Sequence, residues 1–226
     1  MTEVNTFSAA VDDVIRRSGR PDKLSDILSY VRSSIRECQV LAFFRNDMIE
    51  DTLTSDTSSS YIWTHPQEYR LLRTCRYRGL FNRRGEVIYP PEIKPGKKQR
   101  EYTEFYYSGP GYTVFAGVEI GSEIDVAYYT TAKKLPYFSE SARPARFILE
   151  DNVWSYLTSG TDAEKLAWRE QVSNWLLFTY YDTIVEGGLA KVFKTIDDPR
   201  AGSSFALYKS FQNTLLSTEP SDSLNI

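Results

Sequence analysis

The sequence predicts an α+β protein in which both ends of the chain form a helical bundle and a small antiparallel β lobe is inserted between them. Three observations carry that expectation. Apolar residues recur at helical spacing over residues 1–45. The period drops towards two between residues 60 and 139, where β-branched and aromatic residues dominate. Helical spacing returns after Arg143-Pro144. The predicted limits are 1–45 with 140–218 for the bundle, 46–139 for the β lobe, and 219–226 for a flexible C-terminal arm.

In the first element Phe7, Ala10, Val11, Val14 and Ile15 form one stripe, with Thr6 placed to cap it. Gly19 ends that helix and Pro21-Asp22 restarts the chain. The second helix carries Leu24, Ile27, Leu28, Val31, Ile35, Cys38 and Ala42 at three- and four-residue spacing. Residues 52–60, TLTSDTSSS, are polar and read as a loop. Candidate strands follow at 61–63, 71–78, 86–90, 102–107, 112–117 and 124–130, making one small sheet. Gly109-Pro110-Gly111 supplies turn chemistry between two of them.

Beyond the lobe a stripe runs through Trp168, Val172, Trp175, Leu176, Tyr180, Ile184, Gly187, Ala190 and Phe193. It fits one helix over 163–194, about 48 Å long, or two with a break near 180–182. Gly187-Gly188 inside it costs helix stability, which a close helix–helix approach would offset. Asp198-Pro199 reads as an N-cap with proline at the first helical position. Ala201, Phe205, Tyr208, Phe211 and Leu215 form the last stripe, and the polar tail after it has no pattern of its own.

At 226 residues, 41% hydrophobic and 25% charged, the composition is that of a globular protein. The formal net charge of −3 supplies no global field towards nucleic acid or an anionic membrane. No apolar run reaches spanning length, and the opening MTEVNTFSAAVDD reads as no signal peptide. Aromatic residues stand at 14%, with 16 Tyr, 12 Phe and 4 Trp, which suits either an aromatic β core or an interface-rich surface.

Nothing in the sequence assembles a catalytic, cofactor or metal site. Cys38 and Cys75 are far apart and in no ligand or redox spacing, and read as reduced buried thiols. His65 is the single histidine and reads as a strand-end residue. GPGYTVFAG lacks the spacing and the lysine of a phosphate loop. Arg70, Arg73, Arg76 and Arg78, interleaved with Tyr69 and Tyr77, are the sharpest surface feature. They suit an exposed strand face paired with acids, a protein contact, or a nucleic-acid surface.

The run WLLFTYYDTIVEGGLAKVFKTIDDPRA, from Trp175 to Ala201, resembles the head–tail adaptor (connector) proteins of tailed bacteriophages. FALYKSFQNTLL after it, FSAAVDDVIRRSG with the Leu24–Phe44 segment before it, and the strand stretch WTHPQEYRLLRTCRY resemble further parts of the same proteins, the last in short-tailed phages. The resemblance implies a non-enzymatic virion protein, made in the host cytoplasm and placed at the head–tail junction. It implies a homo-oligomeric ring, usually of twelve copies, between the portal protein and the tail nozzle. DNA would pass through its channel without sequence-specific binding. It also implies a C-terminal arm that grips the portal, which points to Ser217, Leu224, Asn225 and Ile226. The competing expectation is a binding module whose aromatic β lobe recognises a glycan or a host surface. The burial of Trp63, Tyr106, Tyr107, Tyr112, Tyr128 and Tyr129 discriminates the two.

Overall fold

The structure is a computed structural model, and it describes residues 5–57, 60–78, 105–116, 118, 120–139, 147–150, 153–156, 161 and 170–222. Helices and antiparallel strands combine in an α+β fold with helices towards both ends of the chain. The chain divides into two compact units: residues 1–46 with 132–226, and residues 47–131.

The helical unit begins with α1 (Phe7–Ser18). Thr6 accepts a hydrogen bond from the Ala9 amide at 3.1 Å, and Gly19 closes the helix at φ +68° with its own amide on the Ile15 carbonyl. After a 3₁₀ turn at Pro21–Lys23 comes α2 (Leu24–Gln39). It stops short of Ala42, because the next residues leave the helix to form β1 (Phe43–Phe44).

The long stripe beyond the lobe is interrupted twice. Asn174 caps α3 (Trp175–Thr179) through the Leu177 amide, and Tyr180 separates α3 from α4 (Tyr181–Thr195). The final helix, α5, spans Ala201–Thr218. Asp198 is not its cap: the Asp198 carboxylate accepts from the Arg200 amide at 2.8 Å in a turn that precedes the helix. The α4 helix is the hub. α1, α2 and α5 all pack on it, and Phe7, Val11, Val14, Ile27, Val31, Leu176, Leu177, Ile184, Val185 and Leu215 fill the shared core.

Gly187 and Gly188 explain how the helices come so close. A Cβ on Gly187 would lie 2.6 Å from Ser34 Oγ and 2.7 Å from a Tyr208 ring carbon, and one on Gly188 2.9 Å from a Val14 methyl. Gly187 thus admits α2 and α5, and Gly188 admits α1 and α2.

The β unit opens on β2 (Met48–Thr54), where a loop over 52–60 was expected. Only Leu53 of β2 is buried, so its sequence lacks the apolar alternation that announces a strand. β3 (Ser60–Thr64), β4 (Tyr69–Arg78), β5 (Phe105–Gly109), β6 (Tyr112–Ala116) and β7 (Glu123–Thr130) follow. They form two three-stranded antiparallel sheets, ordered β2-β7-β4 and β3-β6-β5, instead of the single sheet expected. Leu53, Leu72, Cys75, Ile124, Val126 and Tyr128 from the first meet Trp63 and Phe115 from the second in one core. Gly111, at φ +83°, makes the Pro110-Gly111 turn between β5 and β6. The expected strand at 86–90 lies outside the described residues.

Two predicted boundaries and one predicted element type need correction. The lobe ends at Thr131 and not at residue 139, because Leu135 is buried in the helical core, Tyr137 donates to Asp12, and the Phe138 amide donates to Ser8. Within 140–218, assigned to the bundle, β8 (Phe147–Glu150) and β9 (Val153–Tyr156) form a hairpin. The arm predicted to be flexible from residue 219 is in fact engaged through Asp222. β10 (Ser221–Asp222) pairs with β1, the Pro220 carbonyl accepts from the Arg45 amide, and Glu219 accepts from Tyr180 Oη at 2.8 Å and Asn46 Nδ2 at 2.9 Å. Residues 223–226 lie outside the described residues.

Candidate functional site

The four arginines singled out by sequence all lie on β4, an edge strand, but not as one site. The β4–β7 register shifts twice, between Tyr69 and Leu71 and between Leu72 and Thr74, so Arg70 and Arg73 are the extra residues of two β-bulges. The bulges keep Leu72 and Cys75 on the core side while turning these arginines away from it. Burial lowers the Arg70 pKa, partly offset by Asp47 and the Tyr129 hydroxyl. Arg73 reaches the Met48 sulfur at 3.7 Å. Arg76 registers opposite Asp125, and Arg78 opposite Glu123. Asp47 therefore acts on Arg70, and register sets an acidic residue opposite two of the others.

His65 and both cysteines are packed against neighbouring residues. His65 stacks on the Tyr69 ring at 3.6 Å between centroids and pairs with Thr113 Oγ1 at 2.7 Å, and burial lowers its pKa. Burial pushes the Cys75 thiol up to about 12 and raises that of Cys38 as well. Among the described residues no group of three or more His, Cys, Asp and Glu side chains could hold a metal ion. Nor is any helix among them long and apolar enough to cross a membrane.

A polar cluster joins α2, α4 and α5 beside the two glycines. Lys191 Nζ donates to Ser34 Oγ at 2.8 Å and to Glu37 Oε2 at 3.0 Å, and Tyr208 Oη donates to the same carboxylate at 3.1 Å. Burial alone would raise the Glu37 pKa; the hydrogen bonds from Lys191 and Ser33 outweigh it and hold the group below its ordinary value. This arrangement ties three helices together at a site where the Glu37 side chain remains partly exposed.

Of the portal-arm residues, Ser217 sits in the last turn of α5, donating to the Thr214 carbonyl at 2.9 Å, while Leu224, Asn225 and Ile226 lie outside the described residues. Of the discriminating aromatics, Trp63, Tyr128 and Tyr129 are buried and Tyr112 is exposed; the side chains of Tyr106 and Tyr107 are not among those described.

Two surfaces escaped the sequence reading. Helix α5 buries only Tyr208, Gln212 and Leu215, leaving Phe205, Leu207 and Leu216 exposed, yet Lys209 is its single charged residue. The sheet β3-β6-β5 contains no charged residue at all, and Ile62 on it is 62% exposed. Counting charge along each stripe, and not only apolar period, would have found both.

Among the described residues, then, the α+β fold exposes uncharged strands and a nearly uncharged helix α5, and packs His65 and both cysteines against neighbours. No protein-family model matches the sequence, and no curated protein matches it.

Proposed function

We propose that this chain is a structural assembly protein, a head–tail adaptor that forms a ring between the portal and the tail nozzle of a tailed phage and leaves a channel for DNA. The resemblance of the Trp175–Ala201 run is the source of that reading. The observation that best supports it is α5, whose exposed Phe205, Leu207 and Leu216 and near absence of charge suit contact with protein better than contact with water. A ring subunit must bury two unlike faces, one against each neighbour. Mild net acidity suits a channel through which DNA slides without being held.

The competing reading, a glycan-binding lobe, draws no support from Trp63, Tyr128 and Tyr129, whose rings lie in the core. Electron microscopy of the protein mixed with its portal tests the proposal. A ring of copies seated beneath the portal is the expected image; portals that remain bare at saturating protein would end this reading.

A further inference from the structure

The two sheets of the β unit treat their edges in opposite ways. In β2-β7-β4 both edges are guarded: β2 carries exposed Glu50 and Asp51, and β4 carries four arginines and two bulges. Charges and bulges on edge strands are devices that prevent another strand from adding. In β3-β6-β5 the edges have neither. Its three strands are each five residues long, in unbroken register, without proline and without charge. Among the described residues β3 and β5 each pair with β6 alone.

The main chain shows which groups the edges offer. The His65 amide donates to the Gly111 carbonyl at 3.0 Å, in the register of the β3–β6 ladder. Hydrogen-bonded pairs alternate along an antiparallel ladder, so Trp63 and Tyr61 also point their N–H and C=O groups at β6. Those of Ile62 and Thr64 therefore point away from β6, to an edge that no described strand covers and where both residues are also exposed. The Ser60 carbonyl is taken by Thr57 Oγ1. On the other side β6 turns Val114 towards β5, opposite Tyr107, which leaves the main-chain groups of Tyr106 and Ser108 on the outer edge of β5.

From this we infer that successive copies of the chain join edge to edge, β5 of one to β3 of the next. The inference rests on the ring reading above and names its β-lobe contact. Both strands are antiparallel to β6 and so run the same way, and copies related by rotation about an axis along the strands meet as a parallel pair. In a parallel pair one residue bridges two alternate residues of its neighbour. Ile62 N–H then donates to the neighbour's Tyr106 carbonyl, the neighbour's Ser108 N–H donates to the Ile62 carbonyl, and Thr64 N–H donates to the Ser108 carbonyl. The contact is heterologous: each copy uses one edge for each neighbour, so the sheet can continue around a closed ring. So few main-chain bonds hold a pair only weakly, and a ring or a template must add contacts before it persists.

Disulfide trapping tests it without the portal. In the double variant Ile62→Cys, Tyr107→Cys the two cysteines of adjoining copies lie side by side across the joint. Mild oxidation at the highest soluble concentration should give a covalent ladder of dimers, trimers and larger species. Adding Thr64→Pro, which removes an edge donor and leaves the β6 ladder whole, should cut the ladder at least tenfold, and Thr64→Val should not. The double variant's circular dichroism should match the wild type's. A folded double variant that cross-links no more than either single variant would overturn the inference, as would dimers from Ile62→Cys alone, which mean that β3 pairs with β3. Rings seen on the portal together with either result would leave the adaptor reading standing and remove only this joint.

Discussion

Gly188 shows how a residue with no side chain can decide a packing arrangement. In Gly188→Ala the new methyl must displace Val14 and Val31, both buried, so a destabilisation of about 1–3 kcal/mol is expected in urea unfolding. His65 makes a different residue-scale prediction. Its folded pKa is lowered, so the folded state prefers the neutral ring, and the associated stability is present at pH above the ordinary histidine value. It should be lost as pH falls through about 6.5 towards the folded pKa. The stability advantage of the wild type over His65→Gln should therefore shrink over that range, and a constant difference would count against it. Cys75, with its thiol held protonated at neutral pH, should alkylate in the native protein only as fast as the chain opens. Cys38→Ser, Cys75→Ser and His65→Gln should all leave assembly intact, apart from stability losses of a few kcal/mol at most.

At the scale of elements, what the sequence revealed follows from which patterns burial writes into it. Helices α1 and α2 were legible because each buries a single face and because Thr6 and Gly19 mark the ends of α1. The close approach at Gly187-Gly188 was legible because glycine is costly there unless a neighbour needs the space. The strand β2 was not, since its exposed edge position removes the alternation that reveals strands. The break at Ser173-Asn174 was hidden by apolar residues that keep helical spacing on both sides of it. The C-terminal segment misled most: Ser, Glu and Pro read as a solvated tail, but its anchors are hydrogen bonds, which leave no apolar trace. Deleting residues 219–226 removes the partner of Tyr180 and Asn46 and the strand beside Phe43-Phe44. It should lower stability by about 1–3 kcal/mol. Deleting only 223–226 should weaken portal attachment about tenfold, roughly 1.4 kcal/mol.

For the whole molecule the decisive fact is where the chain enters and leaves the β unit. Met48 registers against Tyr129, so the two crossings from the helical unit are neighbouring strands of one ladder. Adjacent ends make an insertion that the surrounding fold can close over. Replacing residues 47–131 by a short Gly-Ser turn should therefore leave a helical unit that still unfolds cooperatively, as followed by circular dichroism. A chain without helical signal after that excision would show that the helices depend on the lobe. The function proposed here needs both units, so the excised protein should lose the edge-to-edge joint and keep α5.

The same adjacency of entering and leaving strands has a mechanical consequence. A load applied between Asn46 and Ala132 enters the β unit at the two ends of adjacent antiparallel strands, and pulls β2 from β7 one rung at a time from Met48–Tyr129 onward. Such a geometry peels, and never shears all its hydrogen bonds at once. Under tension the lobe should open at low force from its root, lengthening the tether between the two halves of the helical unit while the glycine-tight helices stay closed.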